Sequence, residues 1–126
     1  MTLRLLTSIG LAAAVFGATA ANAADGKTKI LLIAGHPSHG PGEHEHRAGC
    51  MLLAKGLMEA NPNIDAVVSS YDWPKDPNAF DGVAAVVMYC DGGDGHYVNK
   101  QLDFVQGLVD KGVGVVCVHY GVEVPA

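Results

Sequence analysis

Basic residues are scarce in this sequence: eight lysines and arginines face 13 aspartates and glutamates, giving a formal net charge of −5. No basic run interrupts that balance, which argues against nucleic acid or an anionic membrane surface as a partner. Cysteine is just as thin, with Cys50, Cys90 and Cys117 and no C-x-x-C pair or zinc-ribbon spacing. Three is an odd number, so at least one thiol lacks an intramolecular partner. Each lies in apolar sequence, which favours three small buried hydrophobes over a disulfide or a nucleophile. G-x-G-x-x-G, a Walker loop and H-E-x-x-H are all missing, so nucleotide binding has no direct support. Internal repeats and low-complexity linkers are absent too.

The one long apolar stretch comes first. Arg4 precedes a run from Leu5 to Ala18 that is almost wholly apolar or small, and Ala21-Asn22-Ala23 supplies a small-x-small cleavage pattern. The run is short for a membrane span, and no cysteine follows it to carry a lipid. Residues 1–23 therefore read as a secretory signal peptide, and the location as periplasmic or secreted. Losing Arg4 makes the remainder one unit more acidic. Residues 24–126, about 100 in number, are enough for one domain with a modest core.

That domain alternates between strand-like and helix-like pieces. Lys29 to Ala34 is a short apolar run ending at Gly35, as a fully buried strand should be. A Gly/Pro loop follows, and from Glu43 to Ala60 Cys50, Met51, Leu53, Ala54, Leu57 and Met58 recur at helical spacing. Glu43 and Glu45 fall in its expected first turn, where negative charge suits the helix dipole. Asn61-Pro62-Asn63 stops it. Further strands are expected over Ala66–Ser70, Val83–Cys90 and Val113–Val118, with a helix over Val98–Lys111. The continuous apolar strands, without two-residue hairpin turns, predict an α/β fold: a Rossmann- or flavodoxin-like parallel sheet covered on both faces. Such sheets usually have five strands, so a chain that stops at Val124-Pro125-Ala126, just past a fourth, central-looking strand with no helix to cover it, reads as the amino-terminal part of a longer domain.

In an open parallel sheet, ligands bind beyond the carboxyl ends of the strands. All six histidines fall in those loops: His36, His39, His44 and His46 after the first strand, His96 after the third, His119 after the fourth. Three readings follow. His39, His44, His96 and His119 could converge from separate loops on a divalent metal, zinc or a similar ion, because neutral imidazole suits such ions. The same groups could do acid–base work without metal, since imidazole titrates near neutral pH. The third reading is a polar, solvated loop.

The other rim loops also carry polar groups. Asp91-Gly92-Gly93-Asp94-Gly95-His96 lets backbone approach a ligand closely and offers two carboxylates, although a plain turn needs the same residues. Trp73, beside Asp72, could stack on a sugar ring, but core packing is its commoner fate. Cys117 and His119 share one side of the fourth strand. If a sharp strand-to-helix turn follows, His119 takes the place of the nucleophile in a nucleophile elbow, with Gly121 at the final small position. Cys117 is then one step too early, which disfavours a cysteine-based amidotransferase or hydrolase.

Four motifs carry a family resemblance: ILLIAGHPSHGPGEHEHRAG at Ile30–Gly49, YDWPKD at Tyr71–Asp76, MYCDGGDGH at Met88–His96 and GVGVVCVHYGVEVP at Gly112–Pro125. The chain from Lys29 to Pro125 resembles the ThuA-like (trehalose-utilisation) family, of which it would cover about the first half of the domain. The resemblance implies a class I glutamine-amidotransferase-like fold, with histidine, here His119, where amidotransferases carry cysteine. It also implies a role in disaccharide or keto-sugar catabolism and a small-molecule carbohydrate as partner. Metal binding through His39, His44, His96 and His119 is plausible for such relatives.

The leading expectation is an exported enzyme acting on sugars or oxidised sugars. His119 and His39 would act as acid–base groups or ligands, with Asp91, Asp94 or Glu123 as carboxylate partner. The alternative from another class is a non-catalytic carbohydrate- or metal-binding module. A third is glycoside hydrolysis by two carboxylates among Glu43, Asp72, Asp91, Asp94 and Glu123, which requires a pair roughly 5–10 Å apart. Nothing in the sequence sets an oligomeric state.

Overall fold

The strand Thr28–Ala34 (β1) is the axis of the molecule, in a computed structural model that describes residues 26–123 and Pro125. Its alternation sends Leu31 and Ile33 to one face and Leu32 and Ala34 to the other, and all four are 0–1% exposed. It pairs in parallel with Ile64–Ser70 (β2) on one side and Val83–Tyr89 (β3) on the other. Gly114–Val118 (β4) then pairs with β3, giving a four-stranded, all-parallel sheet of order β2-β1-β3-β4. The fold is α/β and flavodoxin-like, as the strand pattern implies.

Two helices flank the sheet, His46–Ala60 (α1) and Leu102–Asp110 (α2). The β1-to-β2 and β3-to-β4 crossovers step outward in opposite directions. Right-handed connections therefore place the helices on opposite faces. Cys50 and Ala54 of α1 close over Leu32, Ala34 and Ala66. Leu108 of α2 packs with Leu31, Ile33, Phe80, Val83, Val86 and Met88, and Trp73 and Tyr97 lie against this second core. Trp73 stacks on Phe80 at 5.0 Å between ring centroids, so it is a packing residue.

Several expectations need correction. α1 begins at His46 rather than Glu43, and its first turn holds no acidic residue. The preceding loop folds back on itself through an antiparallel bridge between Ser38 and His44, which prevents helix there. Glu43 and Glu45 instead accept hydrogen bonds from the N–H groups of Gly40 and Gly42. Helical pattern at 98–101 resolves into a separate 3-10 turn, Tyr97–Lys100, broken from α2 by Gln101. The inward stripe of α1 is also narrower than its apolar spacing implies, since Met51, Leu53 and Met58 are 41–48% exposed. β4 lies at the sheet edge and is exposed along most of its length, including Cys117. The expected signal peptide lies outside the described residues. Among those described, no helix is long and apolar enough to cross a membrane.

The three thiols are thus unequal. Burial pushes Cys50 and Cys90 up to about 11, which leaves about one thiolate per thousand molecules at pH 8. A thiol-reactive chromogenic disulfide is expected to titrate one cysteine in the native chain, Cys117, and all three after unfolding. Rapid native reaction of more than one thiol would contradict this packing.

Candidate functional site

The order β2-β1-β3-β4 reverses direction between β1 and β3, the kind of switch point beyond whose carboxyl strand ends open parallel sheets hold their ligands. Gly35 begins the loop after β1. Its N–H donates to the Tyr89 carbonyl at 2.9 Å, and a Cβ there would sit 2.7 Å from Cys90 Cβ. The two strand ends are therefore pressed together at a point only glycine fits. From there the Gly40-Pro41-Gly42 bend, with φ +85° at Gly42, returns the chain so that His44 lies beside Ser38 and His39.

Asp91, at the end of β3, meets this folded loop. The Ser38 hydroxyl lies 3.0 Å from Asp91 Oδ1, 2.9 Å from His44 Nδ1 and 3.1 Å from His39 Nδ1. A hydroxyl has one proton. If it goes to the carboxylate, both imidazoles donate from Nδ1 and keep a lone pair on Nε2. One ligand atom from each of His39, His44 and Asp91 falls within 4.8 Å of the others, so this trio could hold a metal ion. Burial opposes ionisation of Asp91, but the Ser38 hydrogen bond and the imidazoles of His46 and His44 outweigh it. The carboxyl is accordingly held below its ordinary range.

This is not a serine triad. A relay requires the histidine to bridge hydroxyl and carboxylate through opposite ring nitrogens. Here His44 Nδ1 faces both Ser38 Oγ, at 2.9 Å, and Asp91 Oδ1, at 3.4 Å.

His119 stands beside the trio. It follows β4 directly with φ +58° and opens a four-residue 3-10 turn, His119–Val122. Its ring centroid is 4.9 Å from that of His44. Its Nδ1 accepts the Tyr120 N–H at 2.7 Å, so the neutral ring carries its proton on Nε2. His96, by contrast, is only 5% exposed and turned into the fold. Its Nδ1 accepts from Val98 N–H and its Nε2 donates to the Gly121 carbonyl at 3.1 Å. Both nitrogens are committed, and the structure does not bring His96 to the others.

The remaining carboxylates have surroundings of their own. Asp72 pairs with His36 at 3.0 Å, with both side chains more than half exposed. Glu43 braces its own loop, and Asp94 is exposed in the Gly93–Gly95 turn. Glu123 packs near Gly92.

One residue escapes the sequence-based site: His46. Its side chain is 1% exposed, its Nδ1 donates to the His36 carbonyl at 2.7 Å, and its Nε2 has no hydrogen-bond partner. That Nε2 lies 3.8 Å from Asp91 Oδ1. The signal was present in the helical stripe: Cys50 and Ala54, the buried positions of α1, extend back by four residues to His46.

Strain marks the same rim. The non-glycine residues with positive φ among the described residues are His39, Tyr71, Asp72 and His119, all in segments that follow carboxyl ends of strands. Such conformations cost of order 1 kcal/mol or more each and collect at functional sites. No protein-family model, curated protein or solved structure matches this chain.

Proposed function

We propose that the rim beyond β1 and β3 carries a divalent-metal centre held by His39, His44 and Asp91, and that it acts on disaccharides or keto-sugars. The observation that carries this reading is the convergence within 4.8 Å of two imidazoles from the loop after β1 and an ionised carboxylate from the loop after β3. Two histidines and one carboxylate suit zinc or a similar ion and leave positions for substrate oxygen. When bound, such an ion polarises a carbonyl or hydroxyl oxygen. The chain's own contribution is orientation and proton movement. Ser38 aligns all three ligand side chains. His119, protonated on Nε2 beside His44, is placed to give or take a proton at an atom held there.

The sugar class rests on the ThuA-like resemblance of the four motifs, and export rests on the pattern of residues 1–23. A non-catalytic carbohydrate- or metal-binding module is the second reading. It is favoured by the lack, among the described residues, of a hydroxyl or thiol relayed through a histidine to a carboxylate.

The test is elemental analysis and turnover of the full chain, wild type beside His39→Ala and His119→Ala, on a panel of disaccharides and keto-sugars. Wild type is expected to hold stoichiometric metal, and His39→Ala to lose it. His119→Ala should keep the metal while turnover falls about 10²–10⁴-fold. Metal-free wild type would sink the centre. Unchanged turnover in His119→Ala would remove the proton-transfer role, and saturable binding without turnover would establish the module.

A further inference from the structure

We infer that His46 is a fourth, buried ligand of this centre, so that the full donor set is three imidazoles and one carboxylate. The inference rests on the metal reading above and extends it to a residue outside the trio.

The first argument is the proton. A carbonyl oxygen can only accept, so the 2.7 Å contact to the His36 carbonyl places hydrogen on His46 Nδ1. In the neutral ring, Nε2 then carries the lone pair. Metal-binding histidines are typically arranged this way, with the far nitrogen donating to a carbonyl that fixes tautomer and ring orientation.

The second argument is the orphaned atom. Buried polar atoms nearly always find a partner. Alone among the described buried side chains, His46 has a nitrogen without one. Tyr89 covers its ring edge-on at 5.0 Å, so the ring cannot easily swing out to water.

The third argument is distance. The 3.8 Å from Nε2 to Asp91 Oδ1 is too long for a hydrogen bond. Two ligand atoms each about 2.0–2.2 Å from one zinc-type ion can be at most about 4.4 Å apart. The 3.8 Å gap satisfies that limit, and His46 stands just outside the 4.8 Å grouping of His39, His44 and Asp91. His46 and Asp91 would then form the fixed floor of the centre, with His44 and the exposed His39 closing over it. A set so rich in imidazole selects zinc, cobalt, nickel or copper over magnesium or calcium.

The decisive measurement needs no variant. Long-range ¹H–¹⁵N spectra of the labelled full chain, apo and with one equivalent of zinc, report each ring nitrogen directly. The expected result is an apo His46 with hydrogen on Nδ1 only, whose Nε2 resonance shifts on zinc addition but not on magnesium addition. Zinc that moves His39 and His44 but leaves His46 Nε2 in place would overturn the ligand role and keep the centre. An apo His46 protonated on both nitrogens would also overturn it, making the ring an ion-pair partner of Asp91. If no histidine responds to zinc, the centre itself falls. As a second readout, His46→Gln, checked for folding by circular dichroism, should weaken zinc binding more than about 100-fold. That exceeds the 10- to 100-fold typical of an outer-shell change.

Discussion

Under the proposed metal-dependent sugar chemistry, Asp91→Asn is expected to weaken zinc binding more than about 100-fold, and turnover with it, while the fold stays nearly as stable as before. Asparagine keeps the shape of the side chain and an oxygen that accepts from the Ser38 hydroxyl, now 3.0 Å away. What disappears is the negative charge and the anionic ligand oxygen facing His44 at 3.4 Å and His46 at 3.8 Å. A neutral amide oxygen is a much poorer ligand for a zinc-type ion than a carboxylate. The side chain of Asp91 is 41% exposed, so solvent screens its pairing with the imidazoles, and the stability change should stay below about 1 kcal/mol. Competition against a chromophoric chelator measures the first effect, and thermal melting without metal measures the second. Wild-type zinc affinity in Asp91→Asn would remove the carboxylate from the donor set. A collapse of the melting temperature would instead make Asp91 a folding residue.

Asp91 also shows how far the sequence could be read. Its place after an apolar strand was legible, because a run such as Val83–Tyr89 needs both faces covered and so belongs to a parallel sheet. The gathering of histidines at one rim followed from the same topology. Which histidines meet depends on how their loops fold, and that is set by tertiary contacts. The Ser38–His44 bridge brings His39 and His44 to Asp91 and shortens α1 to start at His46. His96 has the right strand end, yet the Gly121 carbonyl and the Val98 N–H claim its two nitrogens. His46 was hidden for the opposite reason: it reads as one more polar loop residue, until its phase with Cys50 and Ala54 puts it on the buried stripe of α1. Cys117 looked buried because its strand is apolar, but an apolar edge strand is sheltered only by what packs on it.

The turn Asp91-Gly92-Gly93-Asp94-Gly95 joins fold to site, and two of its glycines are expected to respond in opposite ways to alanine. At Gly92 a Cβ would stand 2.1 Å from the Tyr120 carbonyl oxygen and 2.5 Å from Glu123 Cβ. The oxygen belongs to backbone and cannot rotate aside. It also accepts the Glu123 N–H at 2.9 Å, while the Gly93 N–H donates to the Glu123 carbonyl at 3.2 Å. The β3 and β4 rim loops are thereby bound together, and one must move bodily to admit the methyl group. Overpacking of this kind costs about 1–3 kcal/mol and occasionally more, or a fall in Tm of about 5–20 °C for a domain of this size. The displaced segments carry Asp91 on one side and His119-Tyr120 on the other, so zinc affinity and turnover should fall together. Gly95 has nothing within 4 Å of the same added atom and no positive φ. Alanine there restricts the unfolded chain, and Tm should hold or rise, by up to about 1 kcal/mol in stability. Melting curves and zinc titrations of the two variants side by side decide the matter. Equal behaviour would mean that the loops after β3 and β4 do not touch at Gly92, and His119 would then have no fixed place beside the trio.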